Sequence, residues 1–217
     1  MNVAYFGYRE WAYKIFQNLV NYNSTDWKFT DVSKADVVLY YGWSWMIPKE
    51  MYENKLCLIL HTSPLPKYRG GSPLQNQIIN GEKWSAATIL KVEEKVDTGD
   101  IYAQTQFSLE GTLDEIFDRI VEVGTEDTIR VLESIAKGTA KPLEQMEFKA
   151  TYYKRRKPEE SEIKLSDFNK KTSKELYNFI RALADPYPNA YIVCKDRKKL
   201  YFTGAHLESQ EGKEAKS

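Results

Sequence analysis

Apolar positions along the chain alternate between short continuous runs and stripes at helical spacing. Residues 3–7, VAYFG, are an apolar run stopped by Gly7, which predicts a short strand. Trp11, Ile15, Phe16, Leu19 and Val20 then recur at intervals that place them on one helix face. Asp36 to Tyr41 (DVVLYY) and Leu56 to Leu60 (LCLIL) are apolar between polar flanks, as strands buried on both faces must be. Strand, helix, strand and strand in that order predict an α/β protein with a doubly wound sheet.

The pattern breaks after Leu60. HTSPLPKYRGGSP, residues 61–73, holds three prolines and two glycines in 13 residues and predicts an irregular loop. A loop leaving the carboxyl end of a buried strand is where open α/β sheets place ligands. Pro73 to Asn80 predicts a short helix, with Ser72 as N-cap and Gly81 beyond its end. Ala86 to Val92 and Ile101 to Leu109 predict a strand pair. Thr112 and Glu115 form a capping-box pattern opening a long helix with Leu113, Ile116, Phe117, Ile120 and Val121 on one face and Gly138 as its stop. Past about residue 150 the chain turns polar, and YYKRRKPEESE reads as a linker. A second capping pattern, Thr172 with Glu175, starts a helix that turns Leu176, Phe179, Ile180 and Leu183 inward and ends at DPYP. Two short strands are expected near 190–194 and 199–203. The expected division is a core over 1–150, a linker and small C-terminal α+β extension over 151–207, and a disordered tail over 208–217.

Composition narrows the classes. With 42% hydrophobic residues in 217, the chain can bury a real core. Basic and acidic residues balance at 31 each, whereas a protein built to grip a nucleic-acid backbone usually carries a basic excess. No nucleic-acid partner is therefore expected. Two cysteines and two histidines are too few for a structural zinc site, so no metal is expected. Cys57, inside LCLIL, reads as a small hydrophobe. The absence of a secretory pattern and of any apolar stretch of membrane-spanning length predicts no membrane association and a cytoplasmic protein.

With two histidines, the search for a general base is narrow. His206 lies beside the tail and reads as incidental. His61 follows a buried strand and begins the Pro/Gly-rich loop. A lone histidine is more often structural than catalytic, and only its place at the mouth of the sheet makes it a candidate. The loop VEEKVDTGD, residues 92–100, carries Glu93, Glu94, Asp97 and Asp100. The plain reading is a solvated turn, and the functional one brings a carboxylate to His61. Acyl transfer to an amine suits that pair, since the nitrogen must shed a proton and the developing oxyanion needs a donor. GWSWM, residues 42–46, is either core or the wall of a pocket for a flat aromatic ligand.

HTSPLPKYRGGSP and VDTGDIY, with Asp97 36 positions after His61, resemble the folate-dependent formyltransferases. That family includes methionyl-tRNA formyltransferase, glycinamide ribonucleotide formyltransferase and the sugar N-formyltransferases. The similarity runs from residue 1 to about 145, and YYKRRKPEE followed by YNFIRALADPYPNAY resembles the linker and C-terminal part of the sugar-acting members. It implies a Rossmann-like core, N10-formyltetrahydrofolate as co-substrate, His61 as base and Asp97 as its charged partner. Ser44, Trp45, Met46 and Ile47, together with Val92, Glu93, Glu94 and Val96, fall in the pterin-binding segments of the family. Arg69, Gly70 and Gly71 would shape the loop beside the acceptor and its phosphates. One position departs. The family carries asparagine two residues before the histidine, and this chain has Ile59. Asn76 or Gln75 on the next helix, or protonated His61, are the candidates to replace that oxyanion donor.

Among the family's acceptors, the resemblance implies a UDP- or dTDP-linked amino sugar, on the ground that a tRNA-directed member carries a larger C-terminal domain and a basic surface. The role would lie in surface polysaccharide or nonulosonic (pseudaminic) acid synthesis, with a homodimer as the assembly seen among sugar-acting members. The alternatives are a formyltetrahydrofolate hydrolase and a non-catalytic module that binds folate or nucleotide sugar.

Overall fold

A computed structural model describes residues 1–208. Its elements in chain order are β1 (Asn2–Gly7), α1 (Glu10–Tyr22), β2 (Lys28–Phe29), β3 (Val37–Tyr41), α2 (Lys49–Asn54), β4 (Leu56–His61), β5 (Arg69–Gly70), α3 (Pro73–Ile79), β6 (Trp84–Lys91), β7 (Ile101–Ser108), α4 (Leu113–Ala136), β8 (Tyr152–Tyr153), α5 (Ser173–Ala182), β9 (Ala190–Val193) and β10 (Lys199–Phe202).

The central sheet runs β2-β1-β3-β4-β6-β7. β3 shows why it is buried from both sides. All five of its residues are buried, because alternate side chains enter different cores. Val37, Leu39 and Tyr41 join a larger core, and Val38 and Tyr40 a smaller one. The larger core is closed by α1 through Ala12, Ile15 and Leu19 and by α4 through Leu113, Ile116 and Ile120. Met51 and Tyr52 of α2, with Val32, cover the smaller one. β4 follows the same parity. Leu58 and Leu60 enter the larger core and Cys57 the smaller, so Ile59 and His61 share the face of Cys57.

The architecture is mixed α/β and Rossmann-like, as expected. β1 through β4 pair in parallel, and β6 and β7 add an antiparallel edge. β2 and α2 are absent from the sequence expectations because two and six residues are too short to show a period. Both capping boxes form, with Thr112 Oγ1 accepting from the Glu115 amide and Thr172 Oγ1 from that of Glu175. Ser72 stands at the N-cap of α3 but does not cap it with its side chain. Its Oγ accepts instead from the Arg156 amide at 3.1 Å.

The segment expected to be a linker is integrated into the fold. β8 pairs in parallel with β5. Arg181 of α5 is buried and donates to the carbonyls of Leu109 and Gly111 at 2.7 and 3.1 Å, binding the extension to the turn between β7 and α4. Apart from Glu208, the tail expected to be disordered, 208–217, lies outside the described residues. Among the described residues no helix is long and apolar enough to cross a membrane.

Candidate active site

His61 is the last residue of β4, and its side chain is only 7% exposed. The ring is held from two sides. Nε2 lies 2.9 Å from the Tyr68 carbonyl oxygen, and Nδ1 lies 3.5 Å from Asp97 Oδ2. Both neighbours are acceptors, so each contact needs an N–H from the ring. The cationic ring supplies both and the neutral ring one. Asp97 arrives from the connection between β6 and β7 at φ 57°, a left-handed conformation that aspartate tolerates better than most residues. The same Oδ2 accepts from the Gly70 amide at 2.8 Å. One carboxylate oxygen therefore ties together the histidine, the R-G-G loop and the D-T-G loop.

A residue with no sequence signal holds this arrangement from behind. Gln145 donates through Nε2 to the carbonyls of Asp97 and Gly99 at 2.9 and 2.8 Å. Its Oε1 accepts from Arg69 Nε and Nη2 at 3.2 and 2.9 Å. All four hydrogen-bonding positions of the carboxamide are used.

Arg69 departs from its expected place beside phosphates. Its side chain is fully buried, and its remaining nitrogen, Nη1, donates to Glu147 Oε2 at 2.7 Å and to the Tyr152 hydroxyl. Four of the five guanidinium N–H groups are taken by acceptors of the chain itself, and the buried side chain does not line the cavity onto which His61 opens. The arginine beside Glu147 lowers that carboxyl's pKa, with the Tyr152 hydroxyl second. Gly70 and Gly71 are required by close approach. A Cβ on Gly70, at φ 95°, would strike the Tyr153 carbonyl, and one on Gly71 would strike the backbone of Arg155.

His61 and Asp97 open into a cavity of about 590 Å³, within the range of small-molecule sites. Trp43, Trp45 and Met46 give it an apolar wall, with the two indole centroids 4.9 Å apart and their planes inclined at 66°. Trp43 also packs against the smaller core, so the segment serves as core and as cavity wall at once. A flat heteroaromatic ligand suits this wall. Trp43 Nε1 is buried with no partner among the described residues. Ser44 and Val96 also line the cavity. The other expected pterin-binding residues do not. Ile47 and Val92 pack in the smaller core, Glu93 lies 3.6 Å from Lys91, and Glu94 is exposed. Asn76 is also off the wall, because its Nδ2 donates to the Gly71 carbonyl at 3.1 Å.

The sequence reading missed Arg9, Arg155, Arg156 and Lys157, all of which line the cavity, as does Gln75, one of the candidates to replace the oxyanion donor. The four cations form no ion pair among the described residues, and Asp97 is the one carboxylate in the lining. The run KRRK was the available signal, hidden by the neutral total.

Comparison with known proteins gives this geometry a family. The model described as "Formyl transferase" matches residues 13–132, and that described as "Methionyl-tRNA formyltransferase, C-terminal domain" matches residues 158–214. A methionyl-tRNA formyltransferase of Fusobacterium nucleatum is 35% identical over 162 residues, covering 73% of this chain and 51% of the relative. The chain spans about half the length of the curated relatives it matches. A solved methionyl-tRNA formyltransferase from Clostridium thermocellum is 32% identical, with a TM-score of 0.83 over 96% of this chain and 94% of that one. A 4-N formyltransferase from Francisella tularensis reaches a TM-score of 0.79 over 96% and 98% at 18% identity, which shows a shared fold alone.

These findings overturn the nucleotide-linked amino sugar as acceptor, the carbohydrate pathway, and the expectation of no nucleic-acid partner. The relatives named above at 35% and 32% identity are methionyl-tRNA formyltransferases, and the C-terminal segment matches the model of their C-terminal domain. Charge balance misled because it sums the whole surface, whereas recognition of phosphates depends on where the cations gather.

Proposed function

The chain belongs to the formyl transferase family, and from that premise we propose that it moves the formyl group of N10-formyltetrahydrofolate to the primary amine of an aminoacyl-tRNA. Methionyl-tRNA is the acceptor that the names of its relatives carry. The observation that carries the reading is the buried His61–Asp97 pair opening into a cavity with an aromatic wall and four cations free of ion pairs.

In the transfer, the amine nitrogen bonds to the formyl carbon, the bond from that carbon to N10 breaks, and a formamide and tetrahydrofolate result. The amine must lose a proton and N10 must gain one. In this reading His61 carries it between them, one ring nitrogen exchanging its contact with the chain for the substrate. Asp97 holds the ring in orientation, and Gly70 holds Asp97. Arg9, Arg155, Arg156 and Lys157 suit an acceptor that presents phosphates. The Trp43 and Trp45 wall suits the pterin.

The test is release of tetrahydrofolate and appearance of formylmethionine from charged methionyl-tRNA. Release should require the charged acceptor, and His61→Asn should lower kcat roughly 100- to 10,000-fold. Release at the same rate without acceptor, or undiminished transfer by His61→Asn, would refute the proposal.

A further inference from the structure

We propose that Gln75 supplies the carboxamide that holds the formyl oxygen during transfer, the task assigned by resemblance to an asparagine two residues before His61. The inference rests on the formyl-transfer reading above. Ile59 occupies that asparagine's position, lines the cavity and shares its strand face with His61. Its side chain has nothing to donate. An oxygen that gains charge next to His61 must find its donor on another element.

α3 carries three carboxamides in a row, Gln75, Asn76 and Gln77, and all three are buried. Leu74 and Ile78, four apart, are fixed in the larger core, and this sets the rotation of the helix. Gln77 donates through Nε2 to the carbonyls of Thr62 and Pro73 at 2.8 and 3.0 Å. Asn76 donates to Gly71. Gln75 is 6% exposed, makes no side-chain hydrogen bond among the described residues, and is the only one of the three that lines the cavity with Ile59 and His61. Its amide is not sealed in the interior, so the N–H is open to a ligand oxygen in the cavity. Gln75 is one methylene longer than asparagine, which suits a donor reaching in from a neighbouring helix. As the amine attacks, the carbonyl electron pair moves onto the formyl oxygen, and the Gln75 N–H bonds to that oxygen until the pair returns and N10 leaves. Thr62 also lines the cavity and carries a hydroxyl, so it is the rival donor that the test must separate.

Isotope-edited infrared spectroscopy of the labelled formyl C=O in bound N10-formyltetrahydrofolate reads the bond directly, without an acceptor. Binding to the unaltered protein should shift the stretch to lower frequency. Gln75→Leu should remove that shift and lower kcat roughly 100- to 1,000-fold while folate affinity is kept. Gln75→Glu, which keeps the shape and lacks the N–H, should do the same and stands in if Gln75→Leu does not fold. Adding Ile59→Asn to Gln75→Leu should restore both readouts. An unchanged stretch and kcat in Gln75→Leu and Gln75→Glu overturns the proposal, as does a loss that appears in Thr62→Val instead. If His61→Asn still abolishes transfer in that case, only the Gln75 assignment falls. If the unaltered protein binds no N10-formyltetrahydrofolate, the proposed function falls with it.

Discussion

Gln145 allows the supporting shell of the site to be separated from its chemistry. Gln145→Leu removes four hydrogen bonds at once. The Gly99 carbonyl is buried, and Arg69 is fully buried with two of its donors then unmatched. A buried polar group left without its partner costs about 1–3 kcal/mol. Two such losses, with the Asp97 carbonyl half-buried and less costly, give about 4 kcal/mol. For a chain of this size, each kcal/mol lowers Tm by roughly 2–4 °C, so thermal denaturation should show a fall of roughly 8–16 °C. Gln145→Glu behaves differently. Its carboxylate still accepts from Arg69 but cannot donate to the Asp97 and Gly99 carbonyls. It should recover at least half of the lost Tm and none of the lost transfer activity, because the loop carrying Asp97 stays unfastened. Circular dichroism melting and tetrahydrofolate release, measured on both variants, check the separation. If Gln145→Glu melts and turns over like the unaltered protein, the two carbonyl bonds do not hold Asp97, and the account of the supporting shell is wrong.

Salt and pH give two further checks. If the four cavity cations meet acceptor phosphates, the logarithm of kcat/KM for the charged tRNA should fall with the logarithm of salt concentration at a slope of roughly −3, taking about 0.7 per contact. Arg155→Ala with Lys157→Ala should halve that slope approximately, and an unchanged slope would remove those residues from phosphate recognition. The pKa values of Glu115 and Glu175 are lowered, first by the backbone N–H of Thr112 and of Thr172 and then by the hydroxyls of the same residues. A folded-state value below the unfolded one means stability that is present above the ordinary glutamate range and lost as pH falls through the lowered folded values. The Tm gap between the unaltered protein and Glu115→Gln with Glu175→Gln should therefore be full near neutrality and close in acid. A gap that is constant with pH would show that the carboxylate charges do not act through the caps.

The elements legible in the sequence are those whose signal is local. β1, β3 and β4 are apolar runs, and α4 and α5 open on capping boxes that form as written. His61 and Asp97 were legible together only through resemblance, since neither loop alone excluded a solvated turn. Gln145 and Arg9 could not be found, and Gln75 could not be told from Asn76, because nothing in a lone polar residue tells which distant carbonyl or cavity it will meet. Arg69 shows the opposite failure. An arginine in a Gly-rich loop beside a candidate site suggests an anion, yet the fold returns residues 145–152 over it and fills the guanidinium from within.

That return of the chain is what makes the site composite. β8 pairs with β5, and the backbone of residues 153–155 lies so close to Gly70 and Gly71 that neither can carry a side chain. The strand pairing carries Arg155, Arg156 and Lys157 directly onto the cavity wall. The Arg156 amide is fixed to Ser72, and Arg181 binds α5 to the turn that opens α4. The polar segment after residue 150 thus helps to build the cavity that His61 serves. Its cations enter the site only because Gly70 and Gly71 let its backbone approach. The R-G-G sequence is on this account a docking requirement for the C-terminal part of the chain, and the acceptor's surroundings depend on a segment that a linker reading would leave outside the chemistry.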